Sequence, residues 1–130
     1  MKELAYNEKI AVLRVLKDIE LADNKVLDCE SGYIDQVAKS FGIDNCYHKD
    51  VDSIVTLQAL NIIRNLSSEQ KSEFAKLMGK MIVIDKDINY NEVKLYNVVC
   101  ESCDIEKDFR VEDYPEYSLS GPFVNPEDLM

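Results

Sequence analysis

The stretch Ile84-Asp85-Lys86-Asp87-Ile88-Asn89-Tyr90-Asn91-Glu92 has a counterpart 62 residues upstream, Ala22-Asp23-Asn24-Lys25-Val26-Leu27-Asp28-Cys29-Glu30. Asp85 answers Asp23, Ile88 answers Val26 and Glu92 answers Glu30. The same offset sets Met78 on Leu16 and Met81 on Ile19, and downstream it sets Cys103-Asp104-Ile105 on Phe41-Gly42-Ile43. A unit that recurs at a fixed offset is one supersecondary element used twice. The pattern predicts two related helical hairpins, each with carboxylates at its turn.

Working outward, Ile10, Val12, Leu13, Val15, Leu16 and Ile19 recur at helical spacing without an interrupting Gly or Pro, which predicts a helix over about Asn7–Leu21. A second helix, about Asp28–Ser40, would bury Ile34, Val37, Ala38 and Phe41, with Gly42 placed as a C-terminal stop. A polar loop from Asp44 to Lys49 precedes a third, about Val51–Asn65, with Ile54, Leu57, Leu60, Ile62 and Ile63 inward. Ser67 and Gln70 form a capping box for a fourth helix, about Ser68–Ile84, striped by Phe74, Leu77, Met78 and Met81. Asn89 and Glu92 give an N-x-x-E version of the box for a fifth, Asn89–Cys103.

From Asp104 onward the segment holds all three prolines, and its eight acids face two basic residues. The expected architecture is all-α: a compact helical bundle of about five to seven helices over residues 1–105 with two pseudo-symmetric hairpins, followed by an acidic Pro-containing tail over 106–130. No strand is expected. The tail has no core of its own, although Phe109, Tyr114, Tyr117, Leu119 and Phe123 can fold back onto the bundle.

At 130 residues the chain is long enough for one domain with a sizeable core. No apolar run approaches the roughly 18 residues of a membrane span, and the first residues lack the apolar stretch of a secretory leader. A cytoplasmic location is the resulting expectation, and four cysteines suit it as reduced thiols. The net charge of −10, without a Lys/Arg cluster, argues against nucleic acid and anionic membranes, because contact with phosphate needs positive charge. Cations and basic protein surfaces are the natural partners, and a homo-oligomer stays open.

Acids at such turns have three uses. They cap helix N-termini, which contributes about 0.5–2 kcal/mol; they ligate hard divalent cations; or they serve acid/base catalysis, which needs a neighbouring nucleophile or His that the sequence does not offer. The spacing also matches the second half of an EF-hand loop. The two remaining carboxylate positions, however, fall on Ile19 and Leu21 in one copy and on Met81 and Val83 in the other, so neither turn is a full EF-hand.

With two copies of an A-D-G-x-I-D-x-x-E-like motif, each opening a helix, the chain resembles the TerB-like domains of tellurite resistance over about residues 5–106. The resemblance implies a helical bundle of pseudo-two-fold halves. It also implies a non-enzymatic role in bacterial stress response, a membrane-associated protein partner, and a divalent cation (Ca or Mg) at the acidic turns. Carried over by position, the oxygens come from Asp23, Glu30, Asp85 and Glu92, helped by Asp28, Asp87 or Asn89. The chain departs from the motif where the glycine is Asn24 in one copy and Lys86 in the other. The alternative function is a protein-interaction module of the same fold whose acidic turns are caps only.

Two other groupings compete for chemistry. Cys100 and Cys103 form a CxxC pair that Cys46 and His48 would complete as a zinc site, but the repeat sets both on core positions, Ala38 and Phe41, so packing is the favoured reading. His48 is expected to be solvated, and Gly79 to let another helix approach closely.

Overall fold

The computed structural model describes residues 3–22, 28–43, 47–84 and 86–120, apart from the side chains of residues 28–31. Helix α1 (Tyr6–Leu21) buries Ile10, Ala11, Val12, Leu13, Val15, Leu16 and Ile19, which leaves it only a narrow polar face. A helix of that kind belongs in the middle of a fold. It contacts each of the other five helices. Helix α2 (Asp28–Ser40) runs back against it and buries Tyr33, Ile34, Val37 and Ala38.

The expected third helix is two. Helices α3 (Tyr47–Ser53) and α4 (Thr56–Arg64) are separated at Val55, which is extended (φ −85°, ψ 153°) and forms the N-cap of α4. Ile54-Val55-Thr56 is a β-branched run with weak helix propensity. The Thr56 hydroxyl donates to Asp18 Oδ2 at 2.7 Å, tying the break to α1. The break turns Leu57 outward, contrary to the sequence expectation, while Ala59 and Ile63 face the core.

Helix α5 (Ser68–Val83) begins with the capping box: Gln70 N–H donates to Ser67 Oγ at 3.1 Å and Ser67 N–H to Gln70 Oε1 at 2.9 Å. A three-residue strand, β1 (Asp87–Asn89), leads into helix α6 (Tyr90–Cys103). Beyond it come a 3₁₀ turn (Val111–Asp113) and strand β2 (Ser118–Ser120). Strands β1 and β2 are parallel, with Asp87 opposite Ser118, Ile88 opposite Leu119 and Asn89 opposite Ser120. The fold is an all-α bundle with this one small addition, which the sequence reading did not include. Three-residue strands carry too little alternation to be seen in a sequence.

The 62-residue offset holds bond by bond. Ala5 N–H donates to Glu8 Oε1 (2.7 Å) as Ser67 N–H does to Gln70 Oε1 (2.9 Å). The C-caps Ala22 and Ile84 share φ −64° and send their N–H groups to Ile19 O and Met81 O. Gly42 and Asp104 are both left-handed (φ +75° and +58°), and after them Ile43 N–H and Ile105 N–H bond Ala38 O and Cys100 O. Among the described residues, the helix starts and stops of the two halves therefore follow one local design.

The segment after Asp104 lies on the second hairpin. Phe109, Val111, Tyr114 and Tyr117 pack half-buried against the core; the Phe109 ring stacks on Tyr114, and Tyr114 meets Tyr117 at a tilt. Tyr96, fully buried, accepts the N–H groups of Asp108 (2.9 Å) and Phe109 (3.1 Å) through its hydroxyl oxygen. Gly79 serves this ring rather than a neighbouring helix. A β-carbon there would stand 3.5 Å from Phe109 Cβ.

Candidate functional site

Strand pairing decides the state of the second acidic turn. Ser118 Oγ donates to Asp87 Oδ1 at 2.7 Å and Ser120 Oγ to Asp87 Oδ2 at 2.5 Å, so both carboxylate oxygens are engaged by the C-terminal segment. Asn89 N-caps α6, but its Oδ1 accepts from Asn91 N–H (2.8 Å), the second helical residue, rather than the third as a capping box requires. Its amide nitrogen donates to Ser120 Oγ at 3.3 Å. Glu92 is buried in the first turn of α6, where the helix dipole favours a carboxylate. Lys86 occupies the motif's glycine position and takes a left-handed φ of +62°, so the turn keeps its conformation without the residue best suited to it.

Asp23 and Asp85 lie outside the described residues, as do the side chains of Asp28 and Glu30, which sit on the first turn of α2. Among the described residues, no group of three or more His, Cys, Asp and Glu side chains is arranged to hold a metal. On the second turn each Asp87 oxygen accepts one serine hydroxyl and Asn89 Oδ1 accepts one backbone N–H, so the C-terminal segment and the helix cap already draw on these oxygens.

The CxxC pair is core, as its repeat positions imply. Cys100 and Cys103 are buried and unoxidised, and Cys103 Sγ donates to Leu60 O at 3.4 Å. Burial pushes the Cys100 thiol up to about 11 and raises Cys103 as well, so neither is a thiolate near neutral pH. Cys46, the third proposed zinc ligand, lies outside the described residues. His48 is exposed, as expected, but its ring lies 4.1 Å from that of Tyr47 and its Nε2 is 3.9 Å from Asp35 Oδ1.

A polar groove of about 640 Å³ lies between α5 and residues 104–108, and two further concavities escaped the sequence reading as it did. The first, about 210 Å³, lies among α1, α2 and α3 and is lined by Leu13, Lys17, Glu20, Ile34, Asp35, Tyr47, His48 and Val51. Tyr47 is 4% exposed and its hydroxyl donates to Asp35, while Lys17 is paired with Asp52 outside. Burial, then the bond to Asp35 and the charges of Asp35 and Glu20, push the Tyr47 phenol well above its ordinary value. One signal was present in the sequence: the repeat sets the acid Glu20 on the apolar Ile82. The second is an open groove of about 360 Å³ where Tyr6 and Ile10 of α1 face Ile54, Gln58 and Ile62. Tyr6, Val55 and Leu57 are 54, 62 and 79% exposed beside it.

No protein-family model matches the chain, and no curated protein matches it. Among solved structures it is similar to the crystal structure of a protein of unknown function from Porphyromonas gingivalis W83. That likeness has a TM-score of 0.72 at 24% identity and covers 84% of this chain and 86% of the other. At that identity it shows a shared helical fold. No helix among the described residues is long and apolar enough to cross a membrane.

Proposed function

We propose that this chain is a TerB-like module of the bacterial stress-response type that acts by recognising a protein partner rather than by catalysis. The occupant we assign to the α1–α3–α4 groove is an amphipathic helix with basic flanks. One observation carries the reading: Gln58 and Ile62, one turn apart on α4, line the groove opposite Tyr6 and Ile10 of α1, and Leu57 next to them is 79% exposed. A helix lays its apolar face into such a groove through anchors at helical spacing. Asp50 lines the same groove, and the net charge of −10 favours a basic partner. The acidic turn at Asp87 is then a clasp for the C-terminal segment.

The test is a titration of the ¹⁵N-labelled protein with a designed Leu/Lys amphipathic peptide and with its Leu/Glu counterpart. Shifts confined to Ile54, Gln58 and Ile62 with the basic peptide, and lost in Leu57→Asp, are expected. Equal shifts with both peptides, or concentration-dependent shifts at the groove without any peptide, would overturn it. The latter would make a second copy of the chain the occupant.

The cation reading has one observation in its favour: Lys86, at the position where the motif has glycine, takes a left-handed φ of +62°, the conformation that suits glycine. A divalent ion (Ca or Mg) bound only by the folded state, at a hundredfold excess over its Kd, raises stability by about 2.7 kcal/mol. Thermal unfolding of the parent and of Asp23→Ala/Asp85→Ala with and without Ca²⁺ or Mg²⁺ decides it. A rise confined to the parent would restore the turns as ligands.

A further inference from the structure

The internal repeat shows the same positions in two states. The 62-residue register gives Lys71 and Lys76 of α5 the places that Lys9 and Arg14 hold on α1. In the first half both cations are engaged by the chain itself. Lys9 Nζ donates to Phe41 O at 2.9 Å, just past the end of α2, while Arg14 donates to Val51 O of α3 at 3.4 Å and pairs with Asp18.

The second half offers no such partners. The place of α3 falls on residues 109–115, where the chain forms only the short 3₁₀ turn. Neither lysine ammonium makes a hydrogen bond or ion pair with a described residue. Both instead line the polar groove of about 640 Å³, with Ser68 and Ser72 of the same helix beside them. The other wall is acidic, formed by Asp104, Glu106 and Asp108. Lys107, which lies among these acids, pairs with Glu101 at 3.0 Å. Opposite charges thus stand on two sides of one groove without meeting, although Arg14–Asp18 and Lys17–Asp52 show that this chain pairs charges that are within reach.

From this contrast we infer that the groove between α5 and residues 104–108 is a binding site for an extended zwitterion, a short peptide with free termini, its carboxylate on Lys71 and Lys76 and its ammonium on the acidic wall. The two signs together select the class. A phosphate or other simple anion would gain the lysines but face three carboxylates, and a simple cation would face the lysines. Capture of a terminal carboxylate or amine is a recurring mode of peptide recognition. Ile105 is the only apolar residue of the lining, so charge rather than a side-chain pocket sets what fits. The volume falls within the roughly 300–1,000 Å³ of small-molecule sites. A cube of that volume is about 9 Å on a side, and three extended residues reach about 10 Å. A single amino acid holds its two charges too close together to bridge the walls. The same separated charges are carried by a short peptide and by a longer ω-amino acid.

The experiment is an NMR titration of the intact ¹⁵N-labelled chain with triglycine, with N-acetyl-triglycine, triglycinamide and glycine as controls, and with 6-aminohexanoate as the zwitterion without peptide groups. Saturable shifts at Lys71, Ser72 and Glu106 with triglycine are expected, weakened about two- to fivefold by capping either terminus, the worth of a solvent-exposed ion pair. Lys76 and Glu106 are exposed, so exchanging them leaves the fold intact. Lys76→Gln should weaken triglycine but not triglycinamide, and Glu106→Gln should weaken triglycine but not N-acetyl-triglycine, because in each case the capped peptide already lacks the partner charge. Comparable binding of 6-aminohexanoate marks the paired charges alone as what is recognised, and its exclusion marks the peptide groups as well. No lining residue is shared with the α1–α3–α4 groove, so the two sites are tested separately. Equal affinity for capped and uncapped peptides, no saturable shift, or the same loss for triglycine and triglycinamide in Lys76→Gln would overturn the inference.

Discussion

Replacing Gly79 with alanine should stabilise the protein, against the usual fate of a buried glycine at a close contact. Glycine inside a helix is less favourable than alanine by about 0.8–1.0 kcal/mol. The added methyl would stand 3.5 Å from Phe109 Cβ and 3.6 Å from its Cδ2, ordinary van der Waals contact with a side chain that can adjust. Because position 79 is buried, that methyl also gains up to about 0.8 kcal/mol of burial. The sum is about 1–2 kcal/mol of stabilisation. For a domain of this size each kcal/mol raises Tm by about 3–5 °C. Thermal and urea unfolding followed by circular dichroism would measure it. Gly79→Leu sends atoms beyond the β-carbon into the Phe109 ring and should lower Tm, with partial recovery in Gly79→Leu/Phe109→Ala. A fall in Tm for Gly79→Ala would refute the reasoning, because it would mean that backbone, not the Phe109 side chain, limits the space at 79.

Lys86→Gly removes a β-carbon from a left-handed residue (φ +62°) and should raise the urea midpoint by an amount equivalent to about 1 kcal/mol. Leu57→Ser at a 79%-exposed position should change stability by no more than about 0.5 kcal/mol, whereas loss of a core leucine side chain would cost about 2–5 kcal/mol. Tyr96→Phe takes the acceptor from two backbone N–H groups and should cost about 1–3 kcal/mol, with faster hydrogen exchange at Asp108 and Phe109. Stability should hold to pH 9 and fall above it. Folding raises Cys100 from 9.0 to about 11 and Tyr33 from 10.0 to about 12, so in alkali the unfolded chain binds fewer protons and is favoured. Urea titrations at pH 7.5, 9 and 10.5 would show the fall, and Cys100→Ala would lessen it.

The second acidic turn shows where sequence reasoning stopped. Its hairpin geometry was legible because backbone caps depend on residues three or four apart, and the offset that pairs Ser67 and Gln70 with Ala5 and Glu8 can be read off the chain. The occupation of Asp87 was not legible, since Ser118 and Ser120 lie about thirty residues further on and reach it through a pairing too short to leave a pattern. Likewise, apolar periodicity placed Leu57 inward, and only the break at Val55 rotated it to the surface.

The sequence by itself determined the all-α class, the repeated hairpin, the limits of α2, the capping box at Ser67 and the core placement of the two CxxC thiols. All of these follow from local periodicity and from a register that the chain repeats. Tertiary structure alone decided which copy of the repeat is sealed and which is open. Gly79 and Phe109 meet across thirty residues to close one half, while Lys17, Glu20 and Tyr47 leave a charged cavity in the other. Local rules fix backbone shape, but whether two distant side chains fill a space depends on volumes and charges that meet only after the chain has folded.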